Sequence, residues 1–301
     1  MRSILESCLV KSEEITLHCP VYNCWTTFDM AIKGLHNITV LAYKSPLELK
    51  RNISASKNTD IVLLVDYFGV SDYSSYLEAV NDRCITIFDL AHSFVTQEYI
   101  KGLMGLYDYI FTSLRKMVPT PDGAIVFTYK NLQSDLQTQR KRKDPSIYWK
   151  TLTTISKYNK LDCFIDRIGF KYRMFQMHED SLSLNSYSKA SMDLFFESNL
   201  TDMLQKRIKN YNELYNSGLS EKYNTCSIFK LRQKDIYPLY FPIKSKNPIA
   251  LQKILLMNKI YCPIFWPELE KDYQIIGLPI DDRYEVEHMQ KIIKTLYSLD
   301  D

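Results

Sequence analysis

The sequence predicts an α/β protein: a large domain built on a mostly parallel sheet, a connecting helix, and a smaller α/β domain at the carboxyl end. Three observations lead there. Short β-rich runs alternate with amphipathic segments from Ile15 to Phe127, the pattern of strands joined by helical crossovers. The run Ile61-Val62-Leu63-Leu64-Val65 is apolar throughout, as expected of a parallel strand covered on both faces. Past Arg140 long helical stretches take over, and a second, shorter alternation closes the chain.

The amino-terminal MRSILESCLVKSEE reads as a short helix, followed by a strand at Ile15-Thr16-Leu17. A helix over about Thr26 to Leu35, a strand over Ile38–Tyr43 and the apolar strand Ile61–Val65 come next. Then follow a helix near Tyr76 to Asn81, the strand Cys84–Phe88, a helix over Gln97–Leu103, and the strands Tyr109–Phe111 and Ala124–Phe127. Pro145–Tyr158 and Met192–Leu214 read as long helices. In the second, Leu200, Met203, Leu204, Ile208, Tyr211 and Leu214 recur at helical spacing. Tyr237–Ile243 reads as one strand, and Pro248–Met257 as a helix opening on proline, a residue the first helical turn accepts. Tyr261–Trp266 and Gln274–Leu278 are extended, and Glu287–Leu299 is the closing helix. The expected division is a large domain over 1–190, a connecting helix over 191–217 and a small domain over 218–301.

With 301 residues and a formal net charge of +3, the chain has ample core and too little charge excess to indicate a nucleic-acid protein. It carries no G-x-G-x-x-G and no P-loop. The basic run Arg140 to Lys143 reads as a solvated loop or helix start, with an electrostatic handle for an anionic partner as the alternative. Its seven cysteines show no C-x-x-C spacing, and several lie within apolar runs, which suits a reducing compartment. No stretch approaches the roughly 18 apolar residues that span a bilayer, and the start lacks the signal-peptide pattern. The expectation is a cytoplasmic protein without nucleic-acid or membrane partners.

Chemistry concentrates in FDLAHSF, ending at Phe94, and YIFTSLRKMVPTPDGAIVF, ending at Phe127. Asp89 and His92 stand just past one apolar strand, and Lys116 a few residues past another. In open α/β sheets ligands collect beyond the carboxyl ends of the strands, which is where Asp89 and His92 fall. An acid and a lysine so placed can hold pyridoxal 5′-phosphate (PLP). The amine condenses with the aldehyde, and the carboxylate keeps the ring nitrogen protonated. Taken singly, Asp89 could be a helix N-cap, His92 a packing residue, and Lys116 one lysine among many. The order strand, Asp-x-x-His, helix, strand, Ser-x-x-Lys, Pro-Asp-Gly, strand is what makes them a constellation.

These segments resemble the DegT/DnrJ-type sugar aminotransferases, PLP-dependent transferases of fold type I. LHCPVYNCWTTFDMAI is similar to that family's strand-Pro-x-Tyr/Leu-Thr-x-x-x-Thr segment, VDYFG (Val65 to Gly69) to its V-H-Y-x-G, and FDLAH to its E-D-x-A-H. SLRKMVPTPDGA is similar to its K-x-x-x-x-x-E-G-G, and IIGLPIDDRY to its L-P-x-x-x-x-Y region. GFKYRM (Gly169 to Met174) loosely resembles its G-Y-N-Y-R-M loop. The resemblance implies an α/β/α sandwich with a mostly parallel sheet plus a small C-terminal α/β domain. It also implies PLP as cofactor and a homodimer. Lys116 takes the place of the catalytic lysine, Asp89 that of the ring-nitrogen carboxylate, and His92 the residue beside the cofactor hydroxyl. Ser113 would contact the phosphate, while Tyr22, Cys24 and Trp25 occupy the region whose aromatic stacks on the ring. Arg115 would face a substrate phosphate or carboxylate, or else lie at the surface. Met1 to Leu5 is the nearest counterpart of the family's Gly-Thr-x-Ala-Leu turn, so the chain is expected to be shortened at its start. The implied reaction passes an amino group from glutamate or glutamine to a keto-sugar nucleotide, in making amino sugars or surface polysaccharide. The alternative is a catalytically inactive binding or scaffold protein of the same fold.

Overall fold

The computed structural model describes residues 1–9, 12–24, 32–71, 73–120, 123–129, 189–225, 236–266 and 274–299. The expected helix Pro145–Tyr158, most of the one over Thr26 to Leu35, the basic run at Arg140, Trp25 and the GFKYRM loop lie outside those residues.

Strands β1 (Ile15–Pro20), β2 (Ile38–Tyr43), β3 (Thr59–Val65), β4 (Ile85–Asp89), β6 (Tyr109–Ser113) and β7 (Ala124–Phe127) form one sheet in the order β2-β1-β3-β4-β6-β7. All its pairings are parallel except the last, where β7 runs antiparallel to β6. Alternation along the strands builds two cores. Leu17, Ile61, Leu63, Ile87 and Tyr109 face the helix α1 (Arg2–Leu9) through Ile4 and Leu5. Val62, Leu64, Phe88 and Ile110 face α2 (Pro46–Ala55) and α4 (Gln97–Leu103) through Leu49, Ile53, Ile100 and Leu103. The sheet is thus covered on both faces, which is why β3 has almost no polar residues. Sequence reading passed over α2, although Ser45 accepts from the Glu48 amide at 3.2 Å and Pro46 opens its first turn. The helix α3 (Ser74–Glu78) begins and ends earlier than the expected Tyr76 to Asn81.

The C-terminal part departs from expectation in two places. Instead of one helix over 191–217 there are two, α6 (Lys189–Glu197) and α7 (Leu200–Asn216), because Asn199 caps the second by accepting from the Asp202 amide at 3.2 Å. The segment Tyr237–Ile243 splits into β8 (Ile236–Pro238) and β9 (Tyr240–Lys244), which belong to different sheets. After a short helix α8 (Leu219–Lys222) and these strands come α9 (Pro248–Met257), β10 (Ile264–Phe265), β11 (Ile275–Pro279) and α10 (Val286–Tyr297). Strands β10, β11 and β9 make an antiparallel sheet in that order. Its core takes in Tyr211 and Leu214 of α7, Leu251 and Leu255 of α9, and Ile292 and Leu296 of α10. Among the described residues no helix is long and apolar enough to cross a membrane.

Two devices join this part to the large sheet. Strand β5 (Ser93–Val95), directly after His92, pairs antiparallel with β8, Ser93 opposite Pro238, and the Leu239 amide donates to the His92 carbonyl at 2.9 Å. The buried Arg207 of α7 donates to the carbonyls of Pro238 and Leu239 at 3.3 and 2.9 Å, so the junction is held from behind. Between β3 and α3, Asp66 anchors the loop that meets it. Its carboxylate accepts from the Ser71 hydroxyl at 2.9 Å and the Ser93 hydroxyl at 3.2 Å, and its amide donates to the Asp89 carbonyl at 3.0 Å.

Gly69 belongs to this loop with φ +76°, and a Cβ there would stand 2.9 Å from Ile236 and 3.1 Å from Ser93 Cβ. Gly69→Ala should therefore destabilise the protein by about 2 kcal/mol or more in urea unfolding, combining left-handed strain with overpacking. A loss within experimental error would mean the junction is looser than described. Burial, offset only in part by the serine bonds, pushes the Asp66 carboxyl up to about 6, and the Asp89 charge adds to this. A carboxyl raised above its unfolded range holds a proton in the folded state that the unfolded chain has already released. Its contribution to stability therefore falls as pH rises from about 4 to 6 and stays lost above. Asp66→Asn should gain roughly 1–3 kcal/mol at pH 7.5, with the gain about halved at pH 5. An effect independent of pH would show that Asp66 does not carry this charge.

Candidate active site

The site forms at the carboxyl ends of the parallel strands. Asp89 is the last residue of β4, in register with Val65 of β3 and Phe111 of β6, so its side chain leaves the sheet where the chain turns away. The turn is local: Asp89 Oδ1 accepts from the Ala91 amide at 2.7 Å, Leu90 donates to the Phe111 carbonyl at 2.8 Å, and Ser93 to the Leu90 carbonyl at 3.0 Å. This is an Asx-type turn leading into β5, so the carboxylate caps no helix. Lys116 lies on α5 (Leu114–Met117), a single turn directly after β6, oriented by the Leu114 amide donating to the Gly123 carbonyl at 3.0 Å.

Asp89, Lys116 and His92 share one electrostatic neighbourhood. Burial, the larger influence, pushes the Asp89 carboxyl above its ordinary range, while the Lys116 charge and the Ala91 amide pull it back. For Lys116, burial lowers the amine, Asp89 opposes it, and the adjoining Arg115 lowers it further. Burial, reinforced by the Lys116 charge, holds His92 well below its usual value, so its imidazole is neutral. The His92 ring stacks on Phe68 (centroids 5.1 Å apart) and on Trp266 (5.6 Å), and among the described residues its Nδ1 has no hydrogen-bond partner. A lysine with a lowered pKa carries more free amine at neutral pH and is the better nucleophile and base.

The remaining expected site residues separate into groups. Cys24 is half-buried, within electrostatic reach of Lys116. Ser113 closes β6 at the N-cap of α5 without a side-chain capping bond. Arg115 is exposed beside Lys116. Tyr22 is buried and packed, its hydroxyl donating to the Phe265 carbonyl at 3.1 Å and its ring edge-on to Trp266 at 4.8 Å. Trp25 lies outside the described residues. Sequence reading missed Phe68 and Trp266. Phe68 lies inside the quoted VDYFG, but nothing local in either segment signals a contact with His92.

The arrangement can be compared with known proteins. No protein-family model matches this chain, and no curated protein matches it. Solved structures do. A DegT DnrJ EryC1 StrS aminotransferase from Brucella abortus is 13% identical with a TM-score of 0.60, over 99% of this chain and 83% of that one. DesI in the presence of its TDP-sugar product is 12% identical with a TM-score of 0.61, over 98% of this chain and 77% of that one. SPT with PLP is 12% identical with a TM-score of 0.56, over 94% of this chain and 66% of that one. At such identities the likeness speaks for the backbone alone. This chain has the α/β architecture of the PLP-dependent transferases of fold type I, a mostly parallel seven-residue-or-shorter set of strands carrying Asp89 at its carboxyl edge.

Proposed function

We propose that this protein is a PLP-dependent aminotransferase of the DegT/DnrJ type. The observation that carries the reading is the sharing of one electrostatic neighbourhood by the half-buried Asp89 and Lys116 and a buried, neutral His92 whose Nδ1 has no hydrogen-bond partner among the described residues. The residues fit the cofactor. Asp89 is only partly compensated by its own chain, and a protonated pyridine nitrogen would supply the missing positive charge. His92 has a ring nitrogen, Nδ1, that no described residue bonds, available to an oxygen on the ring. Lys116 has the depressed basicity that attachment to an aldehyde requires. When bound, PLP supplies an electron sink for the carbon that loses or gains the amino group.

The chain's own residues would then divide the work. Lys116 holds the cofactor and, once freed, moves the proton at the substrate's reacting carbon. Asp89 stabilises positive charge on the ring nitrogen in a water-poor site, where such a contact is worth several kcal/mol. His92 orients the ring. Ser113 holds phosphate oxygens, Cys24 lines the ring's surroundings, and Arg115 is a candidate for the donor carboxylate or a nucleotide phosphate. Residues 1–190 would form the cofactor domain and 218–301 the small domain, with a homodimer completing the site. For substrate, the sequence resemblance favours a keto-sugar nucleotide with glutamate or glutamine as donor, and one structural neighbour is a protein seen with its TDP-sugar product.

Purified protein mixed with PLP should develop the visible absorbance of lysine-bound cofactor and fix it covalently on borohydride reduction, and Lys116→Ala should do neither. Identical spectra for the two would end the catalytic assignment and leave a non-catalytic protein of the same fold. Asp89→Asn should still attach PLP but lose about a hundredfold or more in kcat/KM with a sugar-nucleotide substrate. Retention of full activity would remove Asp89 from its role.

A further inference from the structure

Five non-glycine residues among those described have positive φ: Asn37, Phe68, Asn224, Lys259 and Trp266. Asparagine tolerates that region because its short side chain bonds locally, and Lys259 follows the end of α9, where such a conformation is common. The two aromatic residues have no such excuse. A bulky side chain at positive φ is an outlier that persists only when its surroundings over-determine it. Phe68 (φ +61°) and Trp266 (φ +40°) are also the two rings that stack on His92, with interplanar angles of 23° and 13°. One comes from the loop after β3 and the other from the end of β10, so two distant segments are each distorted to reach one imidazole.

The surroundings hold them there. Phe265 packs edge-on against Phe68 at 4.7 Å and Trp266 at 5.7 Å, and its carbonyl takes the Tyr22 hydroxyl. Tyr22 in turn meets Trp266, and Asp66 and Ser71 pin the loop that carries Phe68. His92 itself is fixed at the backbone by Leu239. What this assembly does not supply is a partner for Nδ1, although His92 is only 5% exposed.

We infer that Phe68 and Trp266 are positioning residues that hold the His92 imidazole in place for the cofactor, Trp266 bringing this function in from the C-terminal sheet. The inference rests on the PLP reading above. Stacking restricts the ring to one plane and keeps water from it, so that Nδ1 is presented to an oxygen of the bound cofactor without reorganisation. Among the described residues the charged group that acts on His92 is Lys116 on α5, and an imidazolium beside the Lys116 ammonium would compete with it. Because Trp266 directly follows β10 of the C-terminal sheet, cofactor affinity would also depend on that sheet being docked against the large one.

The test uses the full chain with its histidines labelled at Cε1 for NMR, His92 being assigned by loss of its signal in His92→Gln. Trp266→Leu keeps apolar volume without a ring, and Trp266→Phe keeps a ring. In Trp266→Leu the His92 titration midpoint should rise toward the ordinary value of about 6.5, and PLP should bind about tenfold more weakly by visible absorbance, near 1.4 kcal/mol. In Trp266→Phe both properties should stay within about twofold of wild type. A purely structural role would lower the melting temperature in both variants without moving the His92 midpoint, and that result would overturn the inference. So would equal damage by Leu and Phe. Failure of the wild type to bind PLP would remove the earlier reading together with this one. An unmoved His92 in a Trp266→Leu protein that binds PLP normally would remove only this one.

Discussion

The short antiparallel pairing of β5 with β8 is the contact on which the site depends. It starts at the residue after His92 and ends beside Leu239, whose amide holds the His92 carbonyl. The turn that follows Asp89 therefore ends in a strand whose partner comes from the C-terminal part. Without that partner, β5 would be three residues with unsatisfied backbone groups. With it, the position of Asp89 and His92 at the end of the large sheet and the position of the small sheet become one geometric problem. Arg207 makes the solution rigid, because its buried guanidinium donates to the carbonyls of Pro238 at the end of β8 and of Leu239 after it.

The electrostatics have a consistent sense. Burial acts against charge at Asp66, Asp89, Lys116 and His92 alike, and it is the largest influence on each. For a protein selected only for stability this would be a poor arrangement, since buried ionisable groups destabilise unless fully paired. Asp89 and Lys116 moderate each other, while among the described residues the Asp66 carboxylate is met by hydroxyls and an amide. Groups held away from their ordinary protonation behaviour cluster more often at functional sites than elsewhere. The Nδ1 of His92, without a partner among the described residues, and the strained aromatics beside it belong to the same pattern.

Much of the architecture was legible from periodicity. Apolar continuity at Ile61–Val65, β-rich runs at Ile38–Tyr43 and Tyr109–Phe111, and the proline opening α9 all correspond to elements in the structure. The misses have local causes. In Tyr237–Ile243 a β-rich composition, interrupted by Pro238 and Pro242, hides a change of sheet at Leu239, which is decided by pairing with Ser93 on one side and with β11 on the other. The break at Asn199 interrupts a helical apolar pattern through a capping side chain, a signal outweighed by the long run that follows. Helix α2 has a weak apolar stripe, Leu49 and Ile53 alone being buried, so its cap was the better evidence.

The sequence by itself determined where chemistry could reside. Strand ends are set by local apolar runs, and the residues at or just past them, Asp89, His92, Ser113 and Lys116, are readable from position alone. Which other groups would surround them was decided only by tertiary structure. Phe68 and Trp266 reach His92 from segments far apart in the chain, and Asp66 reaches Ser93 across a strand gap. Contacts of that kind arise from strand order and from the docking of one sheet against another. No periodicity within a segment encodes them, because the free energy that selects them comes from burial shared between segments.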